Sequence, residues 1–401
     1  MKNIAIIGPG FLPIPNVKGG AIETLVTQLI EENEKENKFN IDLYTINDYQ
    51  LNRFKKYKNT KIIQSSTNKV YELVKLKNRI LNRICKIIKL QFAVGINDEK
   101  IIDSFMNKNY DFVIVENNMN IFKKIHRKNK NYNTKFIFHL HNSIENDPGK
   151  SFLASKYIAE NSYLILTASN FLKNQFKKYF PKSNVVNLNN CIDFEKFTIY
   201  NIEEVLKLKN KFNISDELVI GYSGRIAPEK GLREMLLAFE ILVRKKVNIK
   251  LIIAGENHFS INNKKMKEIN EIYSRIKEKI IFTGYIEHEK IPQIYNICDI
   301  ILVPSICQEA FGLSALESLA CGTPVIATNI GGLKEVISLQ VGSLIDINND
   351  LVINLANKIE FFYNNRNELK KKSSKCRNYA LENFDNPNKY LIKFSREINF
   401  L

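Results

Sequence analysis

The sequence of 401 residues lacks long hydrophobic runs, paired cysteines and a recognisable leader segment. None of its apolar stretches reaches the roughly 18–20 residues that a membrane-spanning helix needs. The N-terminal apolar run ends at Gly8-Pro9-Gly10 and does not resemble a secretory signal. The six cysteines are scattered and form no Cys-x-x-Cys pair, so we expect reduced thiols and no structural zinc site. These absences predict a cytoplasmic protein.

Basic residues outnumber acidic residues, and the formal net charge is +17. The cations are interspersed with Asn and Glu and lack the aromatic ladder or motifs of a nucleic-acid-binding surface, so we expect no nucleic-acid partner. From Val70 to Gln91, six cations oppose one acid, and apolar residues recur at helical spacing. This pattern predicts a basic amphipathic helix, which either lies on an anionic membrane surface or packs on its own domain.

Short β-rich runs alternate with helical stretches along the whole chain, which predicts α/β, doubly wound, parallel sheets. The strand candidates are Ile4–Ile7, Ile41–Thr45, Phe112–Val115, Phe136–Leu140, Leu164–Ala168, Val185–Leu188, Val219–Ser223, Leu251–Ala254, Ile280–Thr283, Ile300–Val303 and Val325–Ala327.

The chain is too long for one ordinary core, and the strand pattern pauses near 195–212 before it resumes. We therefore predict a first domain of residues 1–196 and a second of residues 197–378. The segment 379–401 reads as a helix interrupted at Asn386-Pro387 that crosses back to the first domain. We expect the two domains to face each other across a cleft at the C-terminal ends of their strands, where open α/β sheets bind ligands.

Two glutamates with seven residues between them, Glu309 and Glu317, flank a loop and the start of a small-residue helix, Ser314 to Cys321. The start of a helix favours an anion, and the Glu317 carboxylate can accept hydrogen bonds from two vicinal hydroxyls such as those of a ribose. Glu309 can reach a second polyol. A ligand with a polyol, an anionic group and a second polyol has the chemical groups of a nucleotide-sugar. The alternative is that Glu309 caps the helix and Glu317 is a solvated residue.

Two cations, Arg225 and Lys230, lie at the turn that follows the first strand of the second half, where Pro228 and Gly231 bend the chain. They could grip a diphosphate, Arg as a planar fork and Lys as a point charge, and neutralise a leaving nucleoside diphosphate. Surface ion pairing with nearby glutamates is the alternative.

The first βα loop contains Gly8-Pro9-Gly10 and Gly19-Gly20. It breaks the dinucleotide fingerprint at the third glycine. Gly19 and Gly20 instead precede a helix predicted over 21–32, where backbone amides could approach a phosphate or sugar.

His139 and His141 are two residues apart, so both side chains lie on the same face of a β-strand. A metal would need a third ligand, and the neighbouring sequence offers none, so we expect no metal. His141 either bonds a substrate hydroxyl or is a satisfied structural histidine. Glu116 and Asn117 end the preceding strand and could line the same cleft.

The sequence resembles glycosyltransferase family 4. The resemblance rests on the run from Glu309 to Glu317, on Ala320-Cys-Gly-Thr-Pro-Val-Ile-Ala327 and on Gly331-Gly332 with Glu335. Further matching motifs are Gly224-Arg225, Lys230-Gly231, Ala254-Gly255, Thr283-Gly284-Tyr285 and the Gly19-Gly20 loop. The resemblance covers nearly the whole chain, is strong in the second half and is weaker between about residues 50 and 110.

The resemblance implies a GT-B fold and retaining, metal-independent transfer from a nucleotide-sugar, without another cofactor. It implies that Arg225 and Lys230 hold the diphosphate, Glu317 the ribose and Glu309 the transferred sugar. The remaining donor contacts that it implies are Gly20, Gly255, Tyr285, Phe311, Gly312 and Leu313. The acceptor would meet His141, with further contacts from Gly19, Glu116, Asn117 and Asn142; position 142 is Asn where many relatives carry Thr.

We predict transfer of a hexosyl or N-acetylhexosaminyl group from a UDP-sugar to a glycan or lipid-linked acceptor. Rival functions are a sugar-nucleotide epimerase, a phosphorylase and a non-catalytic membrane-associated subunit. The joint presence of Arg225, Lys230, Glu309 and Glu317 favours the enzyme over the subunit.

Overall fold

A computed structural model describes residues 1–54, 56–64, 102, 105, 108–129, 131, 133–146, 148–255 and 264–399. By their contacts the residues fall into two compact units. The first unit comprises Met1–Thr167, Gln175–Leu188 and Leu391–Leu401, and the second comprises Ala168–Asn174 and Asn189–Tyr390. The second unit thus takes two short segments, 168–174 and 189–196, from the predicted first domain.

The sheet of the first unit contains seven strands over the described residues, in the order β3-β2-β1-β4-β5-β6-β7. All of its neighbouring pairs are parallel. Its strands are β1 (Lys2–Ile7), β2 (Phe39–Thr45), β3 (Thr60–Gln64), β4 (Phe112–Glu116), β5 (Lys135–Leu140), β6 (Leu164–Thr167) and β7 (Val185–Asn187). Because the chain order reverses between β1 and β4, the C-terminal ends of these two strands form a topological switch point, where ligands bind in such sheets.

The second unit has a six-stranded sheet over the described residues, in the order β10-β9-β8-β11-β12-β13 and again parallel. Its strands are β8 (Leu218–Ser223), β9 (Ile249–Ala254), β10 (Ile280–Gly284), β11 (Ile300–Val303), β12 (Val325–Thr328) and β13 (Gly342–Ile345). The switch point here lies between β8 and β11.

Helices connect the strands, and we number them over the described residues. They are α1 (Ala21–Glu36), α2 (Met119–Lys128), α3 (Pro148–Asn161), α4 (Asn170–Tyr179), α5 (Ile202–Lys211), α6 (Leu232–Arg244), α7 (Lys264–Ile276), α8 (Ile291–Ile297), α9 (Leu313–Ala320), α10 (Leu333–Val336), α11 (Leu351–Asn364), α12 (Arg366–Asn383) and α13 (Pro387–Asn399). Among the described helices none is both long and apolar enough to cross a membrane.

Alternation along the strands divides the interior of the second unit into two cores, one on each face of its sheet. In β8, Leu218 and Ile220 belong to the core that α6 covers, and Val219 belongs to the core that α9 covers. Both faces of a parallel sheet are buried in this way, so its strands read as continuous apolar runs. This is why the central strands were recognisable in the sequence.

All eleven predicted strands are confirmed, with shifts of at most two residues at their ends. The sequence prediction missed β3 and β13, which are the edge strands next to β2 and β12. The helix predicted over 379–401 is two helices, since α12 ends at Asn383 and α13 begins at Pro387. The predicted basic helix from Val70 to Gln91 lies outside the described residues.

Candidate functional site

The loop after β8 carries Lys230 to the C-terminal edge of the second sheet. Residues Pro228–Lys230 form a 3-10 turn, and Gly231 follows with a φ of 70° before α6 begins. A Cβ on Gly231 would lie 1.8 Å from the carbonyl oxygen of Pro304, which follows β11. The missing side chain therefore lets the loops after β8 and β11 touch. The turn predicted at Pro228 and Gly231 is confirmed.

That close approach brings Lys230 against Glu309. The Lys230 Nζ lies 2.5 Å from Glu309 Oε1, and the Ser305 hydroxyl donates to the same oxygen. The Gly332 amide donates to the Glu309 carbonyl at 2.8 Å. A Cβ on Gly331 would lie 2.2 Å from that carbonyl oxygen. The Gly331-Gly332 pair thus holds the Glu309 backbone in place.

Arg225 behaves differently from its predicted partner Lys230. Its guanidinium pairs with Glu229 at 2.8 Å, and its side chain is 64% exposed. Of these two cations, Lys230 contacts Glu309, whereas Arg225 contacts Glu229. Arg225 is exposed on the same loop.

Glu317 lies in the second turn of α9, whose N-cap Gly312 has a φ of 108°. A Cβ on Gly312 would lie 2.6 Å from Leu333, so this glycine also permits a close approach. Glu317 is buried, and its carboxylate accepts hydrogen bonds from Tyr295 Oη at 2.8 Å and from His288 Nε2 at 3.0 Å. Burial and the adjacent Glu317 raise the Tyr295 pKa well above its usual value, so the phenol remains a donor.

Lys196 extends this arrangement by one more residue. Its ammonium group lies 2.9 Å from Nδ1 of His288 and 2.7 Å from Glu289. An ammonium group only donates, so Nδ1 must accept and the proton of a neutral His288 must be on Nε2, facing Glu317. Neither Lys196 nor His288 was predicted from the sequence. The available signal was the proximity of His288 to the Gly284-Tyr285 motif.

Three glycines line the ends of the adjacent strands β8, β9 and β10. The Gly224 amide donates to the Ala254 carbonyl, and the Gly255 amide donates to the Gly284 carbonyl, both at 3.0 Å. A Cβ on Gly255 would lie 2.2 Å from the Gly224 carbonyl oxygen. Tyr285 beside them is 54% exposed. This edge therefore offers backbone groups and a phenol, without fixed charge on those four residues.

Phe311 and Leu313, predicted with the donor residues, flank Gly312. Phe311 is buried in the core and packs edge-to-face on Phe384, with ring centroids 6.0 Å apart. Leu313 is half-buried and lies against the same core. These side chains anchor the start of α9.

In the first unit, the Gly19-Gly20 loop begins α1 as predicted, and Gly20 has a φ of 103°. A Cβ on Gly20 would lie 2.1 Å from an oxygen of the Glu23 carboxylate. Glu23 is buried in the first turn of α1, and burial is the main reason that its pKa rises to about 7. The negative charge of Glu116 raises it further. Sequence reasoning missed Glu23.

Glu116, His139 and His141 meet at the ends of β4 and β5. Strand pairing puts Glu116 opposite His139, and His141 lies two residues further on the same side. Glu116 Oε2 lies 3.1 Å from His139 Nδ1 and 2.7 Å from His141 Nε2. Burial would raise the pKa of Glu116, but the two histidines reverse that effect and hold it at about 2. Burial and His139 lower the pKa of His141 to about 4, so that imidazole is neutral near pH 7.

This arrangement leaves Nδ1 of His141 as the ring nitrogen that a substrate could use. Asn117, with a φ of 51°, accepts a hydrogen bond from the His141 amide at 3.0 Å through its side chain. Asn142 is exposed. The structure thus brings His139 and His141 together on one side, as alternation predicted, and Glu116 from β4 contacts both rings.

Comparisons with known proteins agree with this picture. Residues 205–382 match the family described as glycosyl transferases group 1. A lipopolysaccharide 1,2-N-acetylglucosaminetransferase of Salmonella typhimurium is 27% identical over 265 residues, which cover 65% of each chain. A capsular polysaccharide biosynthesis glycosyltransferase of Staphylococcus aureus, CapM, is 32% identical over 163 residues, which cover 39% of this chain and 40% of that one. The matches thus span less than two thirds of the length of these relatives.

Solved structures match over the full chain. HepE of Anabaena, solved in complex with UDP-glucose, has a TM-score of 0.77 at 17% identity and 100% coverage of both chains. Sucrose-phosphate synthase of Thermosynechococcus elongatus has a TM-score of 0.76 at 18% identity, covering 99% of this chain and 98% of the other. The predicted fold class is confirmed: each unit has a parallel sheet with helices, and the fold is that of GT-B glycosyltransferases. The family match and the relatives show that this chain is similar to glycosyltransferases.

Proposed function

We propose that this protein is a retaining glycosyltransferase of family 4. It would transfer a hexosyl or N-acetylhexosaminyl group from a UDP-sugar to a glycan or lipid-linked acceptor in polysaccharide or glycoconjugate synthesis. The observation that carries the proposal is the buried Glu317 carboxylate, which two donors hold at the switch-point edge of the second sheet. On the same edge Lys230 lies against Glu309. One carboxylate for a ribose and one cation for a diphosphate is what a nucleotide-sugar requires.

The ion pair between Lys230 and Glu309 would break when the donor binds. The ammonium group of Lys230 would move from the carboxylate to the diphosphate, and exposed Arg225 would fold over the same phosphates. Glu309 would then be free to accept hydrogen bonds from hydroxyls of the transferred sugar. A charged hydrogen bond in a site closed to water contributes about 1.5–3 kcal/mol.

The base would rest against the backbone edge that Gly255 and Gly284 form, with Tyr285 beside it. This edge has no fixed charge on those residues and suits a small pyrimidine. The N-acetylglucosaminetransferase relative and the neighbour solved with UDP-glucose are compatible with a UDP-sugar donor.

In the transfer step, the acceptor oxygen would form the new glycosidic bond as the anomeric carbon–phosphate bond breaks. The departing phosphate oxygen would take the acceptor proton, so attack and departure occur on one face. Glu309 would act by charge and position, and His141 would hold a sugar or acceptor hydroxyl through Nδ1. Lys230 would stabilise the charge that grows on UDP, without a metal at the diphosphate.

The proposal is tested by calorimetry and by a donor screen. We expect UDP to bind more tightly than GDP or ADP, and UDP-sugars to be turned over at the same rate with and without added Mg²⁺. Lys230→Ala should weaken UDP binding roughly 10- to 100-fold, which corresponds to the loss of about 1.5–3 kcal/mol. Lys245→Ala is the matched control, because Lys245 pairs with Glu360 on the surface of the same unit.

Tighter binding of GDP or ADP would reject the UDP assignment alone. Equal donor binding and turnover by the Lys230→Ala and Lys245→Ala variants would reject the placement of the site.

A further inference from the structure

A closed network of hydrogen bonds holds the backbone of Glu309 and Ala310 in the second unit. The Gly332 amide donates to the Glu309 carbonyl at 2.8 Å, and the Ser169 hydroxyl donates to the Ala310 carbonyl at 2.5 Å. A Cβ on Gly332 would lie 2.5 Å from the Ala310 carbonyl oxygen, so the two backbones are in direct contact. Two consecutive carbonyl groups are therefore fixed from two different parts of the chain.

Glu335, from α10, closes this network at the start of α4. Its carboxylate accepts hydrogen bonds from the amide of Asn170, at 3.0 Å, and from the amide of Phe171. Ser169 precedes α4 and is fully buried, and its hydroxyl oxygen accepts a hydrogen bond from the Leu172 amide at 3.2 Å. The first three amides of α4, which lack partners within the helix, are thus bonded to these two side chains.

The contact between Ser169 and Ala310 exceeds what a helix cap needs. A cap uses the serine oxygen only as an acceptor, so the donated hydrogen bond to Ala310 is not required for the stability of α4 itself. The same contacts explain why residues 168–174 belong to the second unit although they lie within the predicted first domain. They also give a role to Glu335, which follows the Gly331-Gly332 pair in the sequence motif.

These backbone contacts become decisive when the donor is bound. In the structure Lys230 and Ser305 hold the Glu309 carboxylate, but the proposed function moves the Lys230 ammonium group to the diphosphate. Residues 304–312, all of them described, lie in neither a helix nor a strand. The orientation of Glu309 towards the transferred sugar then depends on its backbone, and a displacement of about 1 Å can lower a rate roughly 100-fold.

We infer that Ser169 and Glu335 are positioning residues for Glu309 in the transfer reaction. Both act through the backbone of Glu309 and Ala310, and neither belongs to the set of predicted donor contacts. The inference rests on the proposed function, because it assumes that Glu309 binds the transferred sugar.

The test compares Ser169→Ala with Asn201→Ala in the full-length protein. Asn201 caps α5 in the same unit by accepting a hydrogen bond from the Glu204 amide at 2.9 Å. Both variants remove a helix cap, so both should lower the urea midpoint by similar amounts.

We expect Ser169→Ala to lower kcat for the hydrolysis of UDP-glucose or UDP-N-acetylglucosamine roughly 10- to 100-fold, with the Kd for UDP within about twofold of the wild type. Asn201→Ala should leave both quantities unchanged. Ser169→Thr retains the hydroxyl group and should restore most of kcat.

Wild-type kcat in Ser169→Ala would overturn the inference, as would an equal loss of kcat in Asn201→Ala or in Ser169→Thr. If Ser169→Ala does not fold, Glu335→Gln decides, because it keeps one acceptor oxygen for two amides. It should lower kcat severalfold without changing UDP binding, and an unchanged kcat would overturn the inference. Failure of the proposed function is distinguishable, because the wild-type protein would then neither bind UDP nor hydrolyse either sugar nucleotide, and the inference would fall with it.

Discussion

The Glu317 carboxylate accepts hydrogen bonds from two side chains that different elements supply. Tyr295 comes from α8, and His288 comes from the loop after β10, where Lys196 fixes its tautomer. A carboxylate has about four acceptor positions, so two remain for the vicinal hydroxyls of a ribose. His288 is therefore a positioning residue for Glu317 in the proposed donor site.

We predict that His288→Ala weakens UDP binding about tenfold, because one buried oxygen of Glu317 loses its donor and the carboxylate can rotate away. His288→Gln should retain most of the affinity, since an amide can accept from Lys196 and donate to Glu317. In steady-state kinetics the alanine variant should raise KM for the donor more than it lowers kcat.

The control for that prediction is Glu289→Ala, because Glu289 is exposed and bonds Lys196 without touching Glu317. If the Ala and Gln variants at position 288 lose equal affinity, His288 acts through packing and not through its hydrogen bond.

At the scale of elements, glycines decide how closely the loops of the second unit approach one another. Gly231 and Gly284 have nearly the same left-handed backbone, with φ of 70° and 71°. A Cβ on Gly231 would meet the Pro304 carbonyl at 1.8 Å, whereas a Cβ on Gly284 would meet nothing within 4 Å. Substitutions at these two glycines therefore distinguish the cost of a left-handed backbone from the cost of steric overlap.

We predict that Gly284→Ala destabilises the protein by about 1–2 kcal/mol, the cost of a left-handed conformation for a residue with a Cβ. Gly231→Ala should cost several kcal/mol more, because a backbone carbonyl must move. Urea denaturation midpoints at constant slope measure both values. Equal midpoints for the two variants would contradict the close approach of the loops after β8 and β11.

Helices α6 and α7 are joined by an ion-pair cluster around Glu240. Its carboxylate accepts hydrogen bonds from Arg275 at 2.8 and 2.9 Å and from Arg244 at 2.7 Å. Hydrogen bonding from Arg275 is the main cause that lowers the pKa of Glu240. A carboxyl group whose pKa is lowered by folding stabilises the folded state at any pH above its pKa in the unfolded chain, which is near 4.3. This stabilisation is lost as the pH falls through the pKa of the folded state.

We therefore predict that Glu240→Gln lowers the free energy of unfolding by about 1 kcal/mol at pH 7. The effect is small because both arginines are about half exposed or more, and solvent screens their interaction with Glu240. The difference from the wild type should shrink as the pH falls below about 4, where the unfolded carboxyl group is protonated. Thermal unfolding between pH 3 and pH 7 checks this. Glu360→Gln, at the half-exposed Lys245 pair, should change stability by less than about 0.5 kcal/mol throughout.

At the scale of the whole molecule, the net charge of +17 is concentrated in part between Val70 and Gln91. Each cation near an anionic leaflet contributes about 1 kcal/mol, and the attraction fades within a Debye length. We propose that this segment holds the protein reversibly on the inner surface of a membrane, where a lipid-linked acceptor would be within reach.

We predict co-sedimentation with anionic vesicles but not with neutral ones, and weaker binding at high salt. Charge reversal to Glu at Arg79, Arg83 and Lys86 should abolish binding. The same reversal at the exposed Lys207, Lys211 and Lys277 is the matched control and should have a smaller effect. Equal binding to both vesicle types, or equal effects of the two triple variants, would mean that the segment is not a specific membrane contact.

The sequence by itself determined both sheets and most of their strands, because central parallel strands are buried on both faces and read as continuous apolar runs. It also indicated the loops that carry Lys230 and Glu309 and the helix start that carries Glu317, because each follows a strand end beside glycines with a positive φ. The strands β3 and β13 escaped prediction because their apolar runs are short. In β3 only Ile62 and Ile63 are apolar, and in β13 Gly342-Ser343 weakens the β pattern.

Only the tertiary structure decided which side chains complete these motifs. His288 reaches Glu317 from 29 residues away in sequence, and Lys196 contacts His288 from 92 residues away. Glu116 reaches His141 from the neighbouring strand. Sequence spacing reports neighbours along one helix or strand. Contacts between elements depend on sheet order and register, and these follow from packing of the whole unit.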